Sequence, residues 1–84
     1  MSVLRSYIAE SWEEFEIPEI YSDGTQYWFK NGKIHRDFDK PAIIDSDGTQ
    51  EWYRNGLRHR DNDKPAIIRS DGSQIWFKNG KRIR

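Results

Sequence analysis

The sequence predicts a mainly β fold, an antiparallel β-meander of three 24-residue hairpin repeats with the last truncated, preceded by one N-terminal amphipathic α-helix. Three observations carry this. The string Ser-Asp-Gly-Thr-Gln-x-Trp-aromatic-basic-Asn-Gly runs from Ser22 to Gly32, returns from Ser46 to Gly56, and returns with Ser for Thr from Ser70 to Gly80. Self-similarity at a fixed spacing is the mark of an array in which each unit buries its apolar surface against its neighbours. Asp-Gly and Asn-Gly then divide every unit at the same two places, and both accept the positive φ of primed two-residue hairpin turns at low cost. Between those turns apolar and polar side chains alternate, which is the period of a strand.

The elements follow in order along one domain, residues 1–84. Leu4, Ile8, Trp12 and Phe15 fall at steps of four, four and three, the stripe of an amphipathic helix over residues 2–16. Ser2 can cap its start, and Pro18 forbids its continuation. The repeat sheet spans 19–84. It opens on a half repeat, because Glu19-Ile20-Tyr21-Ser22 sits where Ala42-Ile43-Ile44-Asp45 sits later. Thr25 to Lys30 leads into Asn31-Gly32, Lys33 to Arg36 returns, a polar bend runs from Asp37 to Lys40, and Pro41 opens the strand Ala42-Ile43-Ile44. Repeated through the array, this gives about nine strands of three to six residues.

Alternation sorts the rings. Trp28, Trp52 and Trp76 share one face; Phe29, Tyr53 and Phe77 share the other. The expected core is Trp28, Trp52 and Trp76 with Ile43 and Ile67, covered by Leu4, Ile8 and Trp12 of the helix. The second face either curves on itself or is presented to another molecule. The terminal run Lys81-Arg82-Ile83-Arg84 is expected to form an edge strand, whose basic residues guard against further pairing or accept a partner strand.

A chain of 84 residues buries only a thin core, about 60% of its unfolded surface. With no Cys there is neither a disulfide framework nor a thiolate metal site, and no run is apolar enough for a membrane span. A cytoplasmic protein is the expectation. The 14 Lys and Arg balance the 14 Asp and Glu, so no overall field draws the chain to nucleic acid. The balance is uneven: residues 1–20 carry one Arg against five Glu (1 − 5 = −4), and the remainder carries 13 basic against nine acidic side chains (13 − 9 = +4). The two parts attract each other.

His35-Arg36-Asp37 and His59-Arg60-Asp61 spell the kinase catalytic loop, but the Gly-rich loop, the strand lysine and the Asp-Phe-Gly motif are absent from the sequence. Their duplication points to a turn in which Arg and Asp satisfy the backbone and each other. Asp37 with Asp39, and Asp61 with Asp63, invite a hard cation, yet Lys40 and Lys64 beside them favour Asx-type turns. No enzyme, metal or cofactor is expected.

Asp23-Gly24, Trp28 and Asn31-Gly32, with their equivalents Asp47-Gly48, Trp52, Asn55-Gly56 and Asp71-Gly72, Trp76, Asn79-Gly80, resemble the MORN repeat class. The closer likeness is to the MORN-variant repeats of bacterial, phage and large-DNA-virus proteins, over Glu19 to Arg84. The glycines that follow the hairpin in the standard repeat are replaced here by His35-Arg36-Asp37 and His59-Arg60-Asp61. The resemblance implies a curved sheet that packs on partners or dimerises, with no particular chemistry. The expected function is a non-enzymatic protein-protein interaction module, for example a small phage-encoded modulator of a host defence or toxin protein. Partner-binding residues are expected at Phe29, Tyr53 and Phe77 and at Arg82 and Arg84, where aromatic and arginine side chains concentrate binding energy. Two alternatives stand beside it. One is a nucleic-acid or anionic-surface binder using the basic hairpin ends and terminal strand. The other is a homodimerising assembly element.

Overall fold

The computed structural model describes residues 17–84. The expected helix over 2–16, with Leu4, Ile8 and Trp12, lies outside the described residues. Among those described, twelve strands of two residues each follow one another: β1 (Glu19–Ile20), β2 (Gln26–Tyr27), β3 (Phe29–Lys30), β4 (Lys33–Ile34), β5 (Ile43–Ile44), β6 (Gln50–Glu51), β7 (Tyr53–Arg54), β8 (Leu57–Arg58), β9 (Ile67–Ile68), β10 (Gln74–Ile75), β11 (Phe77–Lys78) and β12 (Lys81–Arg82). Six form one antiparallel sheet in the order β1-β2-β5-β6-β9-β10, while β3-β4, β7-β8 and β11-β12 are separate hairpins. The fold is mainly β and built from antiparallel hairpins.

The expected strands of three to six residues are split, and the tryptophan splits them. Trp52 donates its backbone N–H to Ala66 O at 2.8 Å, but its carbonyl accepts from His59 N–H at 3.0 Å. The chain thus changes partner at this residue: Glu51 just before it pairs with Ile67, and Tyr53 just after it pairs with Arg58. Trp28 makes the same switch between Ala42 O and His35 N–H. At Trp76 the N–H instead reaches Arg84 O at 2.9 Å, within its own hairpin.

Two kinds of turn close the hairpins where one was expected. Asn31 and Gly32 both have positive φ (52° and 78°), as do Asn55 with Gly56 and Asn79 with Gly80, the requirement of a type I′ turn. Asp-Gly behaves differently: only the glycine is left-handed, with Gly24 at 93°. Gly24 N–H donates to Tyr21 O and Tyr21 N–H to Thr25 O, both at 2.9 Å, the pattern of a three-residue loop ending in a left-handed glycine. Asp23 Oδ1 accepts Thr25 N–H at 2.9 Å and fixes that loop. The polar bend after each His-Arg-Asp is a further left-handed pair, Phe38 with Asp39 (68° and 58°) and Asn62 with Asp63 (64° and 58°).

Burial falls on both sides of the sheet. Direct cross-strand pairing puts Tyr27, Ile43, Glu51, Ile67 and Ile75 on one face, and Ile43, Ile67 and Ile75 are buried there. On the opposite face, by alternation, lie Trp28, Ala42, Trp52 and Ala66, all buried together with His35 and His59. Trp76, in the last repeat, is only half-buried. Among the described residues no helix is long and apolar enough to cross a membrane.

Candidate interaction surface

The His-Arg-Asp stretches join one repeat to the next. His35 is held just after β4 by the bond between its N–H and Trp28 O, which turns its ring to the tryptophan face. Its Nδ1 accepts the backbone N–H of Asn55, in the following hairpin turn, at 2.9 Å. The proton therefore sits on Nε2, which donates to Asp37 Oδ1 at 2.7 Å. His59 repeats this toward Asn79 N–H at 3.0 Å and Asp61 at 2.8 Å. The His35 bond holds the Asp37 carboxyl below its ordinary value, with Lys30 adding to it, and His59 does the same for Asp61. With both ring nitrogens engaged, neither histidine has a lone pair open to a substrate.

The arginines and second aspartates complete the joint. Arg60 stacks on Trp52 with its guanidinium carbon 3.8 Å from the ring centroid, and its Nη1 donates to Pro65 O at 3.1 Å. Its carboxylate partner is Asp39 of the previous repeat, at 2.9 Å, and Lys64 reaches the same carboxylate at 2.9 Å. These bonds hold the Asp39 carboxyl down at about 2, those of Arg60 foremost. The expectation that Arg and Asp of one motif satisfy each other is corrected at this motif, because Asp61 is taken by His59 and Arg54 while Arg60 crosses the junction. Trp52 Nε1 donates to Asp39 O at 3.1 Å, and Trp76 Nε1 to Asp63 O at 3.0 Å. Arg84, expected as a partner-binding edge residue, lies over Trp76 and against Asp63. Between the two motifs is a cleft of about 170 Å³ whose lining includes Asp37, Phe38, Tyr53, Arg54 and Asp61. Among the described residues no three His, Asp or Glu side chains converge as metal ligands.

The other face carries a row of rings. Phe29 stands opposite Ile34, Tyr53 opposite Arg58, and Phe77 opposite Arg82, one pair per hairpin. Arg58 lies between repeats, its guanidinium carbon 5.6 Å from the Tyr53 ring centroid and 5.5 Å from that of Phe77. Glu51 Oε1 accepts from Arg58 Nε at 3.2 Å and from the Tyr53 hydroxyl at 3.3 Å, fixing both. Burial pushes the Tyr53 phenol up. In the first hairpin the place of Arg58 is taken by the shorter Ile34, and Phe29 is 46% exposed. Tyr27 stacks on Phe29 at 6.2 Å, and Tyr21 approaches Tyr27 at 5.0 Å, which extends the row toward the first strand.

Of the expected partner-binding residues, Tyr53 and Phe77 are brought together through Arg58, Arg82 stands opposite Phe77, and Phe29 on the same face meets Tyr27. Sequence reasoning passed over Tyr27 and Glu51, and placed Arg58 only among the basic hairpin ends of the nucleic-acid alternative. Alternation could have found Tyr27 and Glu51, each two residues before a ring of the row. Phe38, 70% exposed, also went unnoticed, although Asn62 at the same place in the next repeat marks a left-handed turn.

No protein-family model and no solved structure matches the chain. A 22-residue stretch, 26% of this chain, is 77% identical to uncharacterized protein L111 of Acanthamoeba polyphaga mimivirus. The match spans 6% of that protein's length and is shorter than one 24-residue repeat.

Proposed function

We propose that this chain is a MORN-like repeat array acting as a non-enzymatic protein-binding module, with the ring row of Phe29, Tyr53 and Phe77 as its contact surface. The observation that carries the reading is Arg58, held between Tyr53 and Phe77 by Glu51 so that aromatic and guanidinium groups continue from the second hairpin to the third. Rigid aromatic and arginine side chains are the groups in which interface energy concentrates, and here they are ordered before any partner arrives. Arg82 extends the row.

Charge argues in the same direction. Lys30, Arg54, Arg58, Arg60, Lys64 and Arg84 each lie within 4.0 Å of a carboxylate of the chain itself. A phosphate backbone would have to compete with those carboxylates. The nucleic-acid alternative is left with the exposed Lys33 of the first hairpin and Lys78, Lys81 and Arg82 of the third. A small phage or viral accessory protein acting in the cytoplasm on a host defence or toxin protein is the biological form of this proposal.

The test is affinity capture from host lysate at low and high salt, with and without nuclease, using the wild-type chain and Phe29→Ala. One protein retained through salt and nuclease, and released by Phe29→Ala without loss of folding, is the expected result. Capture that vanishes with nuclease or salt transfers the assignment to the basic third hairpin. Self-capture alone, with a doubled mass in solution, points to the homodimer.

A further inference from the structure

The sequence contains three Asn-Gly dipeptides in nearly identical surroundings: Lys30-Asn31-Gly32-Lys33, Arg54-Asn55-Gly56-Leu57 and Lys78-Asn79-Gly80-Lys81. All six Asn and Gly residues are exposed, and all have positive φ. Exposure and backbone conformation do not tell them apart. Stacking of the repeats does.

Gly56 N–H donates to Ile34 O, and Gly80 N–H donates to Arg58 O, both at 2.8 Å. The preceding asparagines are tied as well, Asn55 N–H to His35 Nδ1 and Asn79 N–H to His59 Nδ1. Side chains pack over these two glycines: Lys33 Cβ comes to 3.7 Å of a Cβ built at Gly56, and Leu57 Cδ2 to 3.2 Å of one built at Gly80. Among the described residues nothing lies within 4 Å of a Cβ built at Gly32. Among the described residues no acceptor meets Gly32 N–H and none meets Asn31 N–H.

We propose that Asn31 is a site of spontaneous deamidation, while repeat stacking slows the same reaction at the chemically equivalent Asn55 and Asn79. The reaction is intramolecular and redox-neutral. The backbone nitrogen of Gly32 attacks Cγ of the Asn31 side chain, an N–Cγ bond forms, and the Cγ–Nδ2 bond breaks. The amide proton leaves with the side-chain nitrogen as ammonia, and a five-membered succinimide remains. Water then adds to either carbonyl and opens the ring to aspartate or isoaspartate. The attack requires the glycine nitrogen to give up its proton and swing toward the side chain. At Gly56 and Gly80 that nitrogen is committed to a carbonyl under a packed side chain, so the motion first requires the junction to open. At Gly32 it meets no such barrier among the described residues. Each event changes the net charge from +0 to −1. Isoaspartate also lengthens the backbone inside the turn that aligns Phe29 with Ile34.

The full-length chain is incubated at mildly alkaline pH, and the three sites are followed by peptide mapping and mass spectrometry. Conversion at Asn31 is expected to run several-fold faster than at Asn55 or Asn79. In denaturant, where stacking is gone, the three rates are expected to converge. Equal rates in the native chain, or faster conversion at Asn55 or Asn79, would overturn the proposal. So would a rank order that persists in denaturant, because it would assign the difference to sequence neighbours. Amide hydrogen exchange gives a second readout: Gly32 N–H is expected to exchange faster than those of Gly56 and Gly80, and equal protection of the three contradicts the premise.

Discussion

Trp52 and Tyr53 are adjacent aromatic residues on opposite faces of one extended run, and the molecule uses them differently. Trp52 is 6% exposed: its indole N–H is bonded to Asp39 O, its ring lies under Arg60, and its backbone groups serve two different strands. Tyr53 is half-buried: it borders the cleft between the two His-Arg-Asp stretches, and its ring and hydroxyl engage Arg58 and Glu51 on the outer row. Both positions recur as aromatic residues in every repeat. Recurrence therefore does not assign a role; the partner offered by the adjacent repeat does. A ring whose indole N–H is bonded to the previous repeat's turn becomes part of the joint, and a ring held by side chains of the outer row remains part of a surface.

The largest break of this comparison is Trp52→Ala. It removes a buried indole, leaves Asp39 O without its donor, and strips Arg60 of its stacking partner, a loss of about 3 to 5 kcal/mol. Loss of the cooperative transition in urea or on heating is the expected outcome for so small a domain. Next comes His59→Ala, which removes a buried imidazole together with its bonds to Asn79 N–H and Asp61 and should destabilise by about 1 to 3 kcal/mol. His35→Ala, at the equivalent junction, should have a similar effect; one that is silent by denaturant titration would show that the two joints are not alike.

Acid sharpens the same contrast. Asp39 is held at about 2 by Arg60 and Lys64, and Asp37 and Asp61 are held down by their histidines. A carboxyl whose folded value lies below its unfolded value adds stability above the unfolded value, and that stability is lost as pH falls through the folded one. Asp23, Asp47 and Asp71 are shifted the same way by their turn bonds, whereas Asp45 is raised by burial and by Glu51. The largest shift is the lowered one at Asp39. The melting temperature should therefore drop from about pH 4 toward pH 2, and less steeply in Asp39→Asn.

Two smaller effects concern the exposed rings. Phe38 occupies a left-handed position that Asn62 fills in the next repeat, so Phe38→Asn should stabilise the chain by up to about 1 kcal/mol in thermal unfolding. Phe29→Ala should change folding stability by only about 0.5 kcal/mol while releasing the captured partner.

Much of this architecture was legible in the sequence. The 24-residue spacing and the Asn-Gly turns are local signals, readable because they need nothing beyond a few neighbours. The joints were not legible, because the decisive bonds run between residues about one repeat apart. Asn55 meets His35 across 20 positions, and Arg60 meets Asp39 across 21. When each motif has a copy 24 residues on, pairing within a repeat and pairing between repeats look alike in sequence. The split of the strands was hidden for a related reason: a backbone that changes partner at Trp28 or Trp52 leaves the side-chain alternation intact. Phe38 misled because a bulky ring in a left-handed turn runs against propensity.

The most direct test of the division between joint and surface compares Trp52→Ala with Tyr53→Ala, reading cooperative unfolding and partner retention on the same samples. The account predicts that Tyr53→Ala keeps a cooperative transition and loses the partner, while Trp52→Ala loses the transition itself. A folded Trp52→Ala chain, or a Tyr53→Ala chain that unfolds as readily as it, would contradict the assignment of the two faces.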